Sequence, residues 1–197
     1  MKNYKKNFEI LKKNHVYSEE MEHDACGVGL IASTEGKKSR KIVEYGIEAL
    51  KAVWHRGAVD ADGKTGDGAG IHVEVPKDFF IEKVEVTGHT YDNSEICVGM
   101  IFLPRNDYAA QESCKTIVES ELTKNDFSIY GWRQVPVNPK VLGEKAFQTM
   151  PEIIQVLFKS NNPELLNKDL ERKIYETRRI IENKAFQISL NNFYICS

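Results

Sequence analysis

HDACGVGLIA, residues 23–32, sets one cysteine between a polar leader and the first run of the chain able to enter a core. Residues 1–25 are rich in lysine and asparagine, then acidic (Glu19, Glu20, Glu22, Asp24), and offer at most a short helix near Phe8–Leu11. After Cys26, Val28–Ala32 has the aliphatic character of a buried strand, with Thr34–Lys38 as its turn. A cysteine in that place is either a small core side chain or a nucleophile. Gly27 and Gly29 flank it and leave room for backbone or ligand to approach.

The bulk properties narrow the field. The chain has 197 residues and 41% apolar residues, enough for one domain with a core. Lys and Arg number 27 against 29 Asp and Glu, a net charge of −2. The basic residues are dispersed, so neither nucleic acid nor a membrane surface is an expected partner. Cys26, Cys97, Cys114 and Cys196 lie far apart and form no CxxC pair, a poor pattern for zinc or for a disulfide framework. The leader lacks the apolar segment of a signal peptide, and no stretch approaches the ~20 apolar residues of a membrane span. A cytoplasmic protein without a metal is the expectation.

Ile42, Val43, Ile47, Leu50 and Trp54 recur at helical spacing behind Ser39, a plausible N-cap. That helix ends at His55-Arg56-Gly57, with Trp54 expected in the core. Next comes GAVDADGKTGDGAG, residues 57–70, with five glycines and three aspartates. A loop so long and glycine-rich in a compact domain points to function. Strands are expected over Ile71–Val75, stopped by Pro76, over Ile96–Leu103 and over Phe127–Val135. Helices are expected from about Asp107 to Lys124, over Pro151–Phe158 and over Pro163–Asn183. Phe186–Cys196 reads as one or two closing strands. The chain stops at FYICS, inside an apolar run, which reads as a fragment whose domain continues.

Three glycine signals fail on context. GVGLIA fits a dinucleotide fingerprint, but a polar leader stands where a strand should precede it. DGKTG suggests a P-loop, but Ala58 occupies the position of the first glycine, and Asp60 and Asp62 would repel phosphate. Asp60-Ala61-Asp62 begins like a calcium loop, but Gly63 arrives too early and the register fails.

Cleavage between Ala25 and Cys26 would change the chemistry of the cysteine. The new α-amine has an ordinary pKa of ~7.7–8.0 and the thiol ~8.5. One residue would then carry both a nucleophile and, through its own amine or a water, a base.

CGVGLIA at 26–32, ALKAVWHRGA at 49–58 and ADGKTGDGAGIHVEVP at 61–76 together resemble the glutaminase domain of glutamate synthases, nearest to the large subunit of the bacterial NADPH-dependent type. GMIFLPR (99–105), SIYGWRQVPV (128–137), LGEKAFQTMP (142–151) and FYICS (193–197) keep the same order. HRGA followed by ADGKTGDGAG is the specific part; CGVG is common to all class II glutamine amidotransferases. The resemblance implies an α+β fold, a four-layer αββα sandwich of the N-terminal nucleophile hydrolase type, incomplete at the C-terminus. It implies that residues 1–25 are a propeptide and that 26–197 are a partial class II glutamine amidotransferase domain. Cys26 would attack the side-chain amide of L-glutamine, release ammonia and leave a thioester that water hydrolyses. The ammonia would pass to 2-oxoglutarate in a downstream domain.

Arg56 matches the arginine of the HRG motif and would fix either the nucleophile's surroundings or a carboxylate; as a cation it also suits a helix C-terminus. His55 is the better candidate for capping that helix. Gly57, Thr65 and Asp67 are expected to bind substrate or support the site, with Lys64 beside them; Gly66, Gly68 and Gly70 are expected to serve a tight backbone path. The family's oxyanion-hole asparagine and glycine, and the groups holding the amino-acid end of glutamine, have no matching motif before Ser197. An oxyanion donor contributes about 10²–10³ in rate, so this segment alone is expected to be weak or inactive. The segment takes no cofactor. FMN and a 3Fe-4S cluster would belong to later domains of the same polypeptide, and NADPH to a partner small subunit. Two other possibilities stand: another class II amidotransferase, or a binding module in which Cys26 is buried.

Overall fold

The computed structural model describes residues 27–54, 57–190 and 192–196, with residues 6, 7, 9, 10 and 13, which are helical. The chain forms two compact units, Met1–Val59 with Gly66–Ile71 and Asp60–Thr65 with His72–Ser197.

In the first unit, α1 spans Arg40–Ala52, and Ser39 caps it by accepting the Lys41 N–H at 3.2 Å. Its stripe of Ile42, Val43, Ile47 and Leu50 is half-buried. Gly46 gives space to Ile71, whose Cδ1 would lie 2.9 Å from a Cβ there. Trp54 is 77% exposed rather than in the core, because it lies past the helix end. Val28–Ala32 does not form the expected strand: Val28 and Leu30 are 92% and 89% exposed. A strand is held by its ladder, and no described residue pairs with this one.

The second unit is built on one antiparallel sheet in the order β2-β3-β1-β4: β1 Cys97–Leu103, β2 Phe127–Gln134, β3 Glu152–Ser160 and β4 Tyr194–Cys196. Its helices are α2 (Lys77–Val86), α3 (Tyr108–Lys124), α4 (Glu144–Gln148) and α5 (Asn167–Gln187). The expected strand at Ile96–Leu103 and helix at 107–124 are present; Asp107 caps the helix through the Ala110 N–H at 2.9 Å. Ile71–Val75 has no ladder, and Pro76 opens α2, an element the sequence reading lacks although Phe80 and Val84 recur at helical spacing.

Residues 151–158, expected as a helix, are strand β3. Ile154–Phe158 are all buried, and a short apolar run buried on both faces suits a central strand as well as a helix. Ile153, Ile154 and Val156 are β-branched, which favours the strand. The closing strands expected over 186–196 shrink to Tyr194–Cys196, because α5 runs on to Gln187.

Alternation along the strands sorts the core onto two faces. Ile101, Leu103, Ile154, Val156 and Phe158 meet Cys114, Val118 and Leu122 of α3 and Leu170, Ile174 and Ile181 of α5. Leu157 and Tyr130 meet Phe80 and Val84 of α2 on the other. Tyr130 lies on that face by alternation from Ile129, and the bulge between Ile129 and Gly131 returns Trp132 to the α3 and α5 side. Gly131 has φ +145°, and a Cβ there would lie 2.9 Å from Thr87 Cγ2, so the bulge requires glycine. Among the described residues no helix is long and apolar enough to cross a membrane.

Buried Glu121 of α3 ties the two long helices together. It accepts from Lys124 at 2.9 Å and from Lys184 of α5 at 2.7 Å. The Lys184 hydrogen bond, with Lys124, holds its carboxyl below the usual range against the opposing effect of burial. Such a carboxylate stabilises the fold above the ordinary glutamate pKa of about 4.3, and the contribution fades as pH falls through the lower folded value. Glu121→Gln is therefore expected to cost about 2 kcal/mol in urea unfolding at pH 7, with the deficit shrinking in acid. An equal deficit at pH 7 and pH 3 would refute this account.

Candidate active site

The candidate residues fall on the glycine-rich loop and the segments around it. Cys26, His55 and Arg56 lie outside the described residues. Gly57 is exposed and donates its N–H to Trp54 O at 3.0 Å, which closes the turn after α1. Asp67 turns its carboxylate onto the backbone beside Gly57: Oδ2 accepts the Ala58 N–H at 2.9 Å, and the Asp67 N–H donates to Ala58 O at 3.3 Å. This reciprocal pair closes the base of the loop, next to the antiparallel bridge Val59–Gly66. Gly66 passes close to Ala58 O, 3.1 Å from where a Cβ would sit.

The tip, Asp60–Thr65, is organised by Asp62. Its Oδ1 accepts the Lys64 N–H at 2.9 Å and the Thr65 N–H at 2.7 Å, while Oδ2 accepts the Thr65 hydroxyl at 2.5 Å. The Thr65 hydroxyl and these two backbone amides hold the Asp62 carboxyl well below the usual carboxylate range. Gly63 turns the chain at φ +68°, with its N–H on Asp60 O at 2.9 Å. Gly68 and Gly70 have no positive φ and nothing within 4 Å of a Cβ. The tight path expected of the loop glycines is therefore real at Gly66 but absent at Gly68 and Gly70.

Thr65 is half-buried and commits its hydroxyl proton to Asp62. Asp60 pairs with Lys145 at 2.6 Å, and Asp62 faces protein donors on both oxygens. The loop carboxylates thus have partners from the protein itself, and among the described residues no group of three or more His, Cys, Asp or Glu converges as a metal site would. The role of Asp62 and the contact with Lys145 are absent from the sequence reading. An aspartate followed two and three residues on by amides it can cap is a recognisable local signal. The partnership with Lys145 joins positions 85 apart and has no such signal.

Cys97 and Cys114 are poor nucleophiles. Burial pushes the Cys97 thiol up to about 12 and the Cys114 thiol up to about 11. Burial also raises Cys196, with Arg178 opposing it. At neutral pH Cys97 and Cys114 hold almost no thiolate, the reactive form. Iodoacetamide at pH 8 is expected to leave Cys97 and Cys114 unmodified in the native protein and to label both in denaturant, read by peptide mass spectrometry. Rapid native labelling of either would contradict the burial that sets their acidity.

Comparison with known proteins identifies the family. The family model for class II glutamine amidotransferases matches residues 26–197. The chain is 52% identical over 194 residues to the large chain of the NADPH glutamate synthase of Azospirillum brasilense, covering 98% of this chain and 13% of that protein. It is 38% identical over 178 residues to the chloroplastic ferredoxin-dependent glutamate synthase 2 of Arabidopsis thaliana, covering 89% of this chain and 11% of that one. The ferredoxin-dependent glutamate synthase of Pyropia yezoensis is also 38% identical, over 196 residues, with 95% and 12% covered. The chain thus spans only 11–13% of the length of these relatives. With the family matched from Cys26 through Ser197, the chain belongs to the class II glutamine amidotransferases.

Proposed function

We propose that this chain is the glutamine-hydrolysing part of a glutamate synthase large subunit. The observation that carries the proposal is where the family match begins: at Cys26, the residue that removal of a propeptide, residues 1–25, would leave as the N-terminus. Residues 26–197 then form part of the glutaminase domain. The similarity to the large chain of an NADPH glutamate synthase supports the assignment within the family.

The chemistry follows from an N-terminal cysteine. Its α-amine accepts the thiol proton, and the sulfur adds to the side-chain carboxamide carbon of L-glutamine. The C–N bond of the tetrahedral intermediate breaks as the ammonium form of the amine returns the proton to nitrogen, and ammonia leaves. Water then adds to the γ-glutamyl thioester, the C–S bond breaks, and glutamate and the free thiol are released. Arg56 holds the surroundings of the nucleophile or a substrate carboxylate, while Gly57, Thr65 and Asp67 shape the glycine-rich loop or bind substrate. In the longer polypeptide the ammonia is consumed in reductive glutamate synthesis from 2-oxoglutarate, in the cytoplasm.

FMN, a 3Fe-4S cluster and NADPH through a small subunit belong to that longer assembly. Cys97, Cys114 and Cys196 are dispersed, and no cysteine cluster converges among the described residues, so they do not fit an iron–sulfur cluster. The four-layer sandwich is part of the same proposal. Met100 and Phe102 of β1 are only half-buried and alternate away from α3 and α5. Residues 28–32 and 71–75 carry strand patterns without a ladder, which suits strands of a second sheet.

The test is made on the full-length polypeptide purified from cells. Intact mass is expected to show a species beginning at Cys26, and Cys26→Ala is expected to lower glutamine hydrolysis by about 10³-fold or more while glutamate synthesis from free ammonia persists. A species that retains residues 1–25 and hydrolyses glutamine equally well with Cys26→Ala would overturn the proposal.

A further inference from the structure

The tip of the glycine-rich loop does not stand free. Residues 143–146, at the start of α4, grip it at three points far along the chain. Gly143 has an ordinary φ of −72°, so its backbone does not need glycine, but a Cβ there would overlap Thr65 Oγ1, Thr65 N and Asp62 Oδ2. The Ala146 N–H donates to Thr65 Oγ1 at 3.4 Å. The Lys145 ammonium pairs with Asp60 Oδ2 at 2.6 Å. Space, a backbone hydrogen bond and an ion pair thus converge on one six-residue tip whose internal order comes from Asp62.

We propose that Gly143 and Lys145 are positioning residues for glutamine hydrolysis, acting through the Asp60–Thr65 tip. The inference rests on the assignment of the loop to the glutaminase site. Neither residue touches substrate. Gly143 supplies the space that lets Thr65 and Asp62 seat against the chain, and Lys145 closes the seat by holding Asp60. Thr65 then presents one fixed surface, with its hydroxyl shared between Asp62 and Ala146. A loop seated in this way loses little conformational freedom when substrate arrives, whereas an unseated one must be ordered at the expense of binding.

The experiment uses the full-length polypeptide with Gly143→Ala, Lys145→Met and Lys145→Arg, and Cys26→Ala in parallel. Lys145→Met leaves the core untouched, since its side chain is largely exposed, and so keeps the test valid if Gly143→Ala folds poorly. Expected are a rise of about 10-fold or more in KM for glutamine for Lys145→Met, from misplacement of the loop, kcat within about threefold, and recovery in Lys145→Arg, which keeps the charge. Tryptic cleavage after Lys64 is expected to accelerate in Lys145→Met and Gly143→Ala, at unchanged melting temperature for the former. Wild-type KM in Lys145→Met overturns the proposal, and so does faster cleavage at Lys64 with unaltered kinetics, which would make the contact purely structural. Full activity in Cys26→Ala would instead remove the glutaminase assignment itself, a result independent of the cleavage readout.

Discussion

The second unit depends on the burial of β3 on both faces and both edges. Glu152–Ser160 pairs with β1 on one side and β2 on the other, and its residues alternate between the α3 and α5 layer and the α2 layer. A strand so placed leaves no freedom of register, since a slip by one residue would exchange the two sets of side chains. Gly99 belongs to the same constraint: a Cβ there would lie 2.9 Å from Val156 Cγ1. Tyr130, at the bulge of β2, lies on the α2 side, where its hydroxyl donates to Asp92 at 3.0 Å. Burial raises the Tyr130 hydroxyl, with Asp92 adding to the effect, so it remains a donor at neutral pH.

Around the glycine-rich loop the acidic residues organise the chain itself. Asp67 closes the base onto Ala58, Asp62 gathers the amides of the tip, and Asp60 reaches Lys145. Each carboxylate satisfies donors that the turns would otherwise leave to water. The same residues that look like failed phosphate or calcium motifs in one dimension are the internal scaffold of a surface. That is why the proposed role of the loop concerns shape and placement, with the bond-making assigned to Cys26.

Cysteine shows how far environment decides chemistry. Cys97 and Cys114 sit against the sheet and α3, where a thiolate would be unsolvated, and they behave as small apolar side chains. The proposal gives Cys26 the opposite setting: an N-terminus with its own amine as base. No difference in residue type separates these roles.

The α-helices with sharp caps, the strand at 96–103 and the glycine-rich loop were legible along the chain because their signals are local: periodicity, and Ser39 and Asp107 as caps. The family was legible for a related reason, since CGVG, HRGA and GKTGDGAG are contiguous words. Residues 151–158 were not, because an apolar run buried on all sides carries no period, and only pairing with β1 and β2 makes it a strand. Trp54 and the segments at 28–32 and 71–75 failed similarly, since apolar character states what a residue prefers and not whether a partner is there. The sequence by itself determined the candidate nucleophile, the loop and the family they point to, each from neighbouring residues. The tertiary structure alone decided the path of β3 through the core and the seating of the Asp60–Thr65 tip on Gly143 and Lys145, because both depend on atoms brought together across long stretches of chain.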